Sequence, residues 1–238
     1  IPVEGHTDVK YRGWANLKVR NNFLLPFLTL PKNSAYMVSS ATQFLVGAQR
    51  TYISNPDDET QHAELMKKIE DYVLSIPDFP EPGIIFRDIT SVLQDADGLQ
   101  LAIDSMQDCL KDIDVDVIAG TESRGFIFGV PIAYNLHKPF VPIRKKGKLP
   151  RETVSVSYDL EYGSAEIEMH KDSIKPGQKV VIVDDLIATG GTIEAAIKLV
   201  EQLGGEVVKV VFLMELAGLK GRERLNGYDV ASVICYDG

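Results

Sequence analysis

Two adjacent carboxylates, Asp184 and Asp185, come directly after four consecutive β-branched residues, Val180 to Val183. Such an apolar run predicts a strand that is buried on both faces. The small residues of Ala188 to Thr192 follow, and an apolar pattern of helical period begins at Ile193. The first backbone N–H groups of a helix have no intrahelical partner and lie where the helix dipole is positive. The segment therefore predicts an anion site, most simply a phosphate-binding loop.

The two acids make this prediction more specific than a general phosphate loop. Carboxylates about one sugar's length from a phosphate suit the hydroxyl groups of a ribose 5-phosphate, or a hard cation chelated by those hydroxyls. The alternative is an ordinary strand-to-helix turn whose acids only cap the helix. That alternative requires the buried strand, the acid pair and the run Thr189 to Thr192 to coincide by chance.

A second turn is expected at the same edge of the sheet. Val115 to Gly120 has the pattern of a strand, and Thr121 to Gly125 is the turn after it. Gly120 and Gly125 have the spacing of the first two glycines of a Walker A loop. However, Phe126 occupies the position where that loop needs lysine, so a nucleoside triphosphate site is not expected. Arg124 is interpreted as a donor to a diphosphate, with an exposed turn arginine as the alternative.

Five cations lie within the eight residues from Arg144 to Arg151, in a chain of net charge −9. A charge run is usually a solvated face. This run follows the predicted strand Phe140 to Ile143, at the same edge of the sheet, where it could neutralise a leaving diphosphate. Its glycine and proline favour a mobile loop that closes over bound ligand.

The segment Val154 to Met169 alternates at period two around Gly163 and Ser164, which predicts a β-hairpin. Near its tip, Glu161 and Tyr162 could equally be solvent-facing strand residues on this pattern alone. Along the whole chain, strands alternate with helices. This order favours an α/β fold with a doubly wound, mainly parallel sheet, whose ligand crevice lies at the carboxyl ends of the strands.

The folded domain is expected to span residues 57–238 and to begin with an amphipathic helix. Six apolar residues recur on one helical face: Leu65, Met66, Ile69, Tyr72, Val73 and Ile76. Residues 1–56 form an extension of unknown role, interpreted as a leader or an appended segment, and no motif there supports a dedicated binding module. A cleavable signal peptide is not favoured because prolines interrupt its apolar stretch.

Composition limits the functions that this chain can have. The net charge of −9 argues against a general nucleic-acid binder. Cys109 and Cys235 are too few for a disulfide framework, and the four histidines show no metal-ligand spacing. No apolar run reaches the length that spans a membrane. We therefore expect a soluble, cytoplasmic protein.

From about residue 63 to its end, the sequence resembles the adenine phosphoribosyltransferases, a branch of the type I phosphoribosyltransferase family. The acid pair with Thr189 to Thr192 is similar to the signature for phosphoribosyl diphosphate (PRPP) of the whole superfamily. The proline-rich run Phe79 to Thr90 and the hairpin run Tyr158 to Gly163 narrow the resemblance to the adenine enzymes. Residues 122–126 and 144–150 match as well.

This resemblance implies a type I phosphoribosyltransferase fold with a small hood and a flexible β-hairpin loop. It also implies a pentosyltransferase of purine salvage, in which adenine and PRPP give AMP and diphosphate. Magnesium would be bound through PRPP, with no metal ligand assigned in the protein, and the enzyme would be a homodimer without nucleic-acid or membrane partners. A related reaction on hypoxanthine, guanine or xanthine stays open, as does a PRPP-sensing regulator.

Roles follow from the resemblance for the phosphate and ribose parts of the substrate. Five residues would hold the 5′-phosphate: Ala188, Thr189, Gly190, Gly191 and Thr192. Asp184 and Asp185 would face the ribose hydroxyls. The diphosphate would be bound by Arg124, Lys145 and Lys148, and Tyr162 would be a further PRPP and AMP contact.

The resemblance also implies a place for the base. Adenine would lie in a hood formed by Ile85, Phe86 and Arg87, packed against Leu186 and recognised largely by main-chain groups. Glu161 would be the hairpin acid that is brought over the base. A strained peptide is expected between Glu122 and Ser123.

Overall fold

The computed structural model describes residues 67–159 and 163–237. The 1–56 extension and the hairpin residues Glu161 and Tyr162 lie outside the described residues. Lys67–Gly238 form one compact unit. The start of the domain at residue 57 therefore stays a prediction.

A sheet of seven strands forms the centre of the described chain. In chain order they are β3 (Val117–Thr121), β4 (Phe140–Lys145), β5 (Thr153–Asp159), β6 (Ser164–His170), β7 (Lys179–Ile187), β8 (Glu206–Leu216) and β9 (Val230–Tyr236). Their spatial order is β5-β6-β4-β3-β7-β8-β9. The five neighbouring strands β4, β3, β7, β8 and β9 pair in parallel. β5 and β6 form the predicted antiparallel hairpin. The predicted α/β fold with a mainly parallel sheet is confirmed.

Helices cover both faces of this sheet. They are α1 (Thr90–Gln94), α2 (Ala96–Asp108), α3 (Arg124–Asn135) and α4 (Gly191–Gln202). Val180 and Ile182 of β7 lie in the core layer that contains α4, whereas Val181 and Val183 lie in the layer that contains α2 and α3. All four of these β7 side chains are fully buried. The strand is buried on both faces because alternate side chains meet helices on opposite sides.

The helix predicted around residues 65–76 is wrong in its described part. Ile69–Tyr72 form a single 3-10 turn, and Leu74–Pro77 form strand β1, which pairs antiparallel with β2 (Ile85–Asp88). A proline disfavours helical backbone at the residue before it, so Pro77 favours an extended conformation at Ile76. Pairing with β2 then satisfies the backbone groups of β1. These two strands form the predicted small hood.

The remaining described segments complete the frame of the site. The two 3-10 turns Ala217–Leu219 and Gly221–Leu225 lie between β8 and β9. Within residues 67–159 and 163–237, no helix is long and apolar enough to cross a membrane.

Candidate active site

The predicted phosphate loop lies between β7 and α4 and lines a cavity of about 410 Å³. Gly190 caps α4 with left-handed backbone (φ 80°), a conformation that favours glycine. A Cβ at Gly190 would lie 2.5 Å from the carbonyl oxygen of Gly221. The loop therefore needs glycine at position 190 both for its conformation and for the available space.

Most of the predicted site residues meet in this one cavity. Its lining includes Arg124, Lys145, Asp184, Asp185, Leu186, Ala188, Thr189, Gly190, Gly191 and Thr192. These residues come from the ends of three parallel strands and from the helices and loops that follow them. The cavity thus lies at the carboxyl edge of the sheet, where this class of fold places its ligands.

The acid pair occupies the last part of β7. Asp185 is 4% exposed, and its backbone N–H donates to Oδ1 of Asp184 over 2.9 Å. Burial, followed by the nearby charge of Asp185, raises the pKa of Asp184 to about 8. Burial also raises the pKa of Asp185, although the Arg124 guanidinium opposes this shift. The pair therefore favours binding partners that restore its charge, such as hydroxyl donors or a cation.

Arg124 begins α3 beside the acid pair. Its Nε lies 2.7 Å from Oδ2 of Asp185, and about half of its side chain is exposed. The peptide bond between Glu122 and Ser123, just before this helix, is cis. It lies where the resemblance implied a strained peptide. Arg124 thus lies in the cavity and is joined to the acid pair by this ion pair.

The basic run Arg144 to Arg151, which begins on the last two residues of β4, divides into paired and unpaired cations. Arg144 pairs with Glu122 at 3.1 Å and Lys146 with Glu166 at 2.8 Å, and Arg151 pairs with Asp172. Lys145 and Lys148 are exposed and form no salt bridge within residues 67–159 and 163–237. Lys145 lines the cavity, whereas Lys148 does not contribute to its lining.

Two carboxylates that the sequence analysis did not assign to the site hold this basic run. Glu122 accepts a hydrogen bond from the Lys145 backbone N–H at 3.1 Å as well as from Arg144. Glu168 is only 2% exposed and accepts from the backbone N–H groups of Lys148 and Leu149, each at 2.9 Å. The alternation of β6 gave no sign that an acid would be buried there.

Gly221 is another contributor that the sequence analysis missed. A Cβ at Gly221 would overlap the carbonyl oxygen of Ala188, so the backbone at Gly221 forms the wall behind the phosphate loop. The next residue, Arg222, is fixed by hydrogen bonds to Glu215 and, at 2.7 Å, to the carbonyl oxygen of Val230. Nothing local to the loop in sequence indicates this wall.

The predicted adenine residues are not all in the cavity. Leu186 lines it, but Ile85, Phe86 and Arg87 lie on β2 of the hood and do not contribute to its lining. The side chain of Arg87 stacks on the C-terminal strand, with its guanidinium carbon 4.0 Å from the centroid of the Tyr236 ring. The hood is therefore fixed to β9.

The hairpin approaches the phosphate loop through its described part. The hydroxyl groups of Thr192 and Tyr158 lie 3.2 Å apart and form a hydrogen bond. Since Tyr158 is near the end of β5, this end of the described hairpin lies beside the phosphate loop.

Comparisons with known proteins agree with this geometry. The phosphoribosyl transferase domain family matches residues 88–235. Adenine phosphoribosyltransferase of Lachnoclostridium phytofermentans is 76% identical over 173 residues, which cover 73% of this chain and 99% of the relative. The solved adenine phosphoribosyltransferase of Thermoanaerobacter pseudethanolicus has 53% identity and a TM-score of 0.68, and the match covers 71% of this chain and 98% of that one. The Saccharomyces cerevisiae enzyme, solved with adenine and an imino-altritol bisphosphate, has 41% identity and a TM-score of 0.65 over 69% of this chain and 96% of its own.

The fold, the cavity and the family match define a phosphoribosyltransferase. Within that class, the chain belongs to the adenine phosphoribosyltransferases, because it covers almost the whole length of relatives of this kind at 76% identity. Its enzyme class is therefore pentosyltransferase, and its function is that of this family. The predicted resemblance and function are both confirmed.

Proposed function

We propose that the cavity at the carboxyl edge of the sheet binds PRPP and transfers its ribose 5-phosphate to adenine, which gives AMP and diphosphate. The observation that carries the proposal is the convergence of the phosphate loop, the acid pair, Arg124 and Lys145 on one cavity.

The 5′-phosphate is held by the loop Ala188–Thr192. Backbone N–H groups at the start of α4 and the positive end of its dipole supply donors and charge complementarity. Asp184 and Asp185, which lie four and three residues before Ala188, accept hydrogen bonds from the ribose hydroxyls. These hydroxyl donors stabilise the charged form of Asp184, whose pKa burial raises to about 8 in the free protein.

The diphosphate is bound by Arg124, Lys145 and Lys148. In the reaction, the bond from the anomeric carbon to the diphosphate oxygen breaks, and the electron pair leaves with the diphosphate. Positive charge develops on the ribose ring, and an adenine nitrogen then forms the new bond to the anomeric carbon. Cations that are already in place stabilise the negative charge of the leaving diphosphate. Each reduction of the activation free energy by about 1.4 kcal/mol raises the rate about tenfold.

Magnesium is proposed to reach the site on PRPP. The carboxylates of Asp184 and Asp185 are hard oxygen donors of the type that Mg²⁺ accepts. Within the described residues, however, no group of three or more His, Cys, Asp and Glu side chains could hold a metal ion. PRPP oxygens and water would therefore supply most of the ligands, and bound Mg²⁺ would neutralise part of the diphosphate charge.

Adenine is placed between the hood and Leu186, where main-chain groups near Ile85 and Arg87 recognise its edge and Phe86 packs beside it. The imidazole ring of adenine loses its N–H proton as the new bond forms, and Glu161 shares this proton. Replacement of Glu161 by Ala should lower kcat with adenine saturating. Unchanged turnover in that variant would remove Glu161 from the mechanism, and Tyr162 would be tested in the same assay.

A base panel with labelled PRPP tests the proposed reaction. We expect labelled AMP from adenine and no nucleotide from hypoxanthine, guanine or xanthine. The double variant Asp184→Asn, Asp185→Asn should lose turnover while its circular dichroism spectrum stays that of the folded protein. A fully active double variant, or equal use of hypoxanthine, would contradict the proposal.

A homodimer is the proposed assembly. Ile127, Val130 and Tyr134 lie three and four residues apart on α3, and their exposed fractions are 38%, 47% and 83%. Side chains with this spacing share one helix face, so α3 presents an apolar stripe. In sedimentation experiments we expect a dimer for the native chain and a monomer for Val130→Glu. A native monomer would contradict this assembly.

The cytoplasm is the proposed location. Cys109 and Cys235 are both free thiols in the described chain, which suits a reducing compartment. Fractionation of cells that express the full chain tests this, and recovery in a secreted or membrane fraction would contradict it.

A further inference from the structure

The buried carboxylate of Glu168 faces the backbone of the basic run. Its Oε1 accepts hydrogen bonds from the N–H groups of Lys148 and Leu149, each at 2.9 Å, and its Oε2 accepts one from the Thr153 hydroxyl at 3.2 Å. In residues 67–159 and 163–237, no Lys, Arg or His side chain pairs with this carboxylate. Glu168 is therefore held by neutral donors, most of them from the main chain of the basic run.

The opposite side of Lys148 is also fixed. Its carbonyl oxygen accepts a hydrogen bond from Nη1 of Arg144 at 3.2 Å. Arg144 in turn is held by Glu122, through Nε at 3.1 Å and Nη2 at 3.3 Å. The main chain of Lys148 is thus bound from both sides, whereas its ammonium group is exposed and unpaired among the described residues.

A negative charge behind a diphosphate site has an electrostatic cost, because it repels the ligand that the site must attract. Burial of a carboxylate has a further cost, which its hydrogen bonds must outweigh. Burial by itself raises the pKa of Glu168, but the backbone N–H groups of Leu149, Gly147 and Lys148 and the Thr153 hydroxyl together lower it below its usual value. The carboxylate is therefore charged near neutral pH, and its contribution must come from geometry.

We propose that Glu168 is a positioning residue for the diphosphate of PRPP, because it fixes the main chain from which the exposed ammonium group of Lys148 extends. This inference rests on the proposed function, in which Lys145 and Lys148 bind the diphosphate. Glu168 itself does not touch the substrate. Its effect should therefore appear only with ligands that carry a diphosphate.

Glu168→Gln, with Glu166→Gln as its matched control, tests the inference. Glutamine keeps the shape, but its neutral amide oxygen accepts the Lys148 and Leu149 hydrogen bonds more weakly than a carboxylate oxygen, and its NH2 group replaces the oxygen that accepts from Thr153. Glu166 is on the same strand and pairs at the surface with Lys146. For Glu168→Gln we expect the KM for PRPP and the inhibition constant of inorganic diphosphate to rise about tenfold, with the Kd of AMP unchanged. For Glu166→Gln all three constants should stay within about twofold.

Two results would overturn the inference. One is unchanged diphosphate inhibition in Glu168→Gln, and the other is an equal loss of AMP and diphosphate binding, which indicates general damage to the fold. If Glu168→Gln does not fold, Thr153→Val removes one donor from the same carboxylate. In that variant, weaker diphosphate inhibition with unchanged AMP binding supports the inference, and unchanged diphosphate inhibition overturns it.

A separate variant distinguishes this inference from the proposed function. If Lys145→Ala, Lys148→Ala leaves diphosphate inhibition unchanged, the assignment of the diphosphate site is wrong, and the inference about Glu168 fails with it. If that double variant loses diphosphate inhibition while Glu168→Gln does not, only the positioning role of Glu168 is wrong.

Discussion

The Nε atom of Arg124 lies 2.7 Å from Oδ2 of Asp185, so one cation joins the two halves of the proposed PRPP site. Asp185 is almost completely buried, whereas half of the Arg124 side chain is exposed. The arginine thus compensates a buried charge and at the same time presents donors to the cavity. Its loss should affect both folding and PRPP binding.

For Arg124→Gln we expect the free energy of unfolding to fall by about 1–3 kcal/mol, because Asp185 then lacks its charged partner. The kcat/KM for PRPP should fall at least about a hundredfold, as a charged donor to the diphosphate is lost. Urea unfolding and steady-state kinetics measure the two effects. Arg151→Gln is the control, since Arg151 pairs at the surface with Asp172. Equal stability of Arg124→Gln and the native chain would show that the pair has no structural role.

The raised pKa of Asp184 predicts how stability depends on pH. Burial raises this pKa from 3.8 to about 8, so between these values the folded state holds a proton that the unfolded state has lost. The contribution of Asp184 to the free energy of unfolding should therefore be largest below about pH 4 and be lost as the pH rises through 8. Asp184→Asn removes this titration and should be at least about 1 kcal/mol more stable than the native chain at pH 8.5, but not at pH 4.

Urea unfolding at the two pH values measures this difference, and the exposed Asp104→Asn is the control. If Asp184→Asn shows the same difference from the native chain at both values, the raised pKa is not linked to folding.

The wall behind the phosphate loop predicts the effect of Gly221→Ala. Its methyl group would overlap the Ala188 carbonyl oxygen, so the loop must move. We expect AMP and PRPP to bind about tenfold more weakly, because both carry the 5′-phosphate, and stability to fall by about 1–3 kcal/mol. Isothermal titration with AMP measures the first effect.

Gly227→Ala is the matched control for that variant. Gly227 has positive φ, but no heavy atom lies within 4 Å of a Cβ built there. It should therefore lose about 1 kcal/mol of stability with unchanged AMP affinity. Native AMP affinity in Gly221→Ala would contradict the proposed position of the phosphate.

The contact of Arg87 with Tyr236 predicts that β9 orients the hood. Tyr236→Leu removes the aromatic face, a loss of about 0.5–2 kcal/mol, and should raise the KM for adenine by about two- to thirtyfold. Tyr236→Phe keeps the ring and should retain the native value. The KM for PRPP should not change in either variant, and steady-state kinetics with each substrate varied in turn will measure both. A raised KM for PRPP would show that the hood does not act on the base alone.

The features that could be predicted from the sequence are those with local signals. The apolar run Val180 to Val183, the acid pair and the loop Thr189 to Thr192 are contiguous, so strand, turn and helix follow from neighbouring residues. Hairpin alternation is local in the same way. The fold class, with its crevice at the strand ends, follows from the order of such elements.

The features that could not be predicted depend on contacts between distant residues. Residues 74–77 carry part of an apolar pattern of helical period. They nevertheless form a strand, because they pair with residues 85–88, which are distant in sequence from the predicted helix. In the alternating pattern of β6, Glu168 falls at a position that is expected to face solvent. It is buried because the basic run packs over it. Gly221 supports a loop that precedes it by a whole helix and strand, so no spacing rule connects the two.

The anchored wall behind the phosphate loop also limits how this enzyme could be re-engineered. Arg222 is fixed to Glu215 and β9, so the backbone at Gly221 cannot retreat when a larger side chain is introduced in the loop. A library that randomises residues 188–192 to accept another phosphorylated sugar would therefore consist mostly of inactive members. Useful diversity would have to include positions 215 and 221–222 together with the loop.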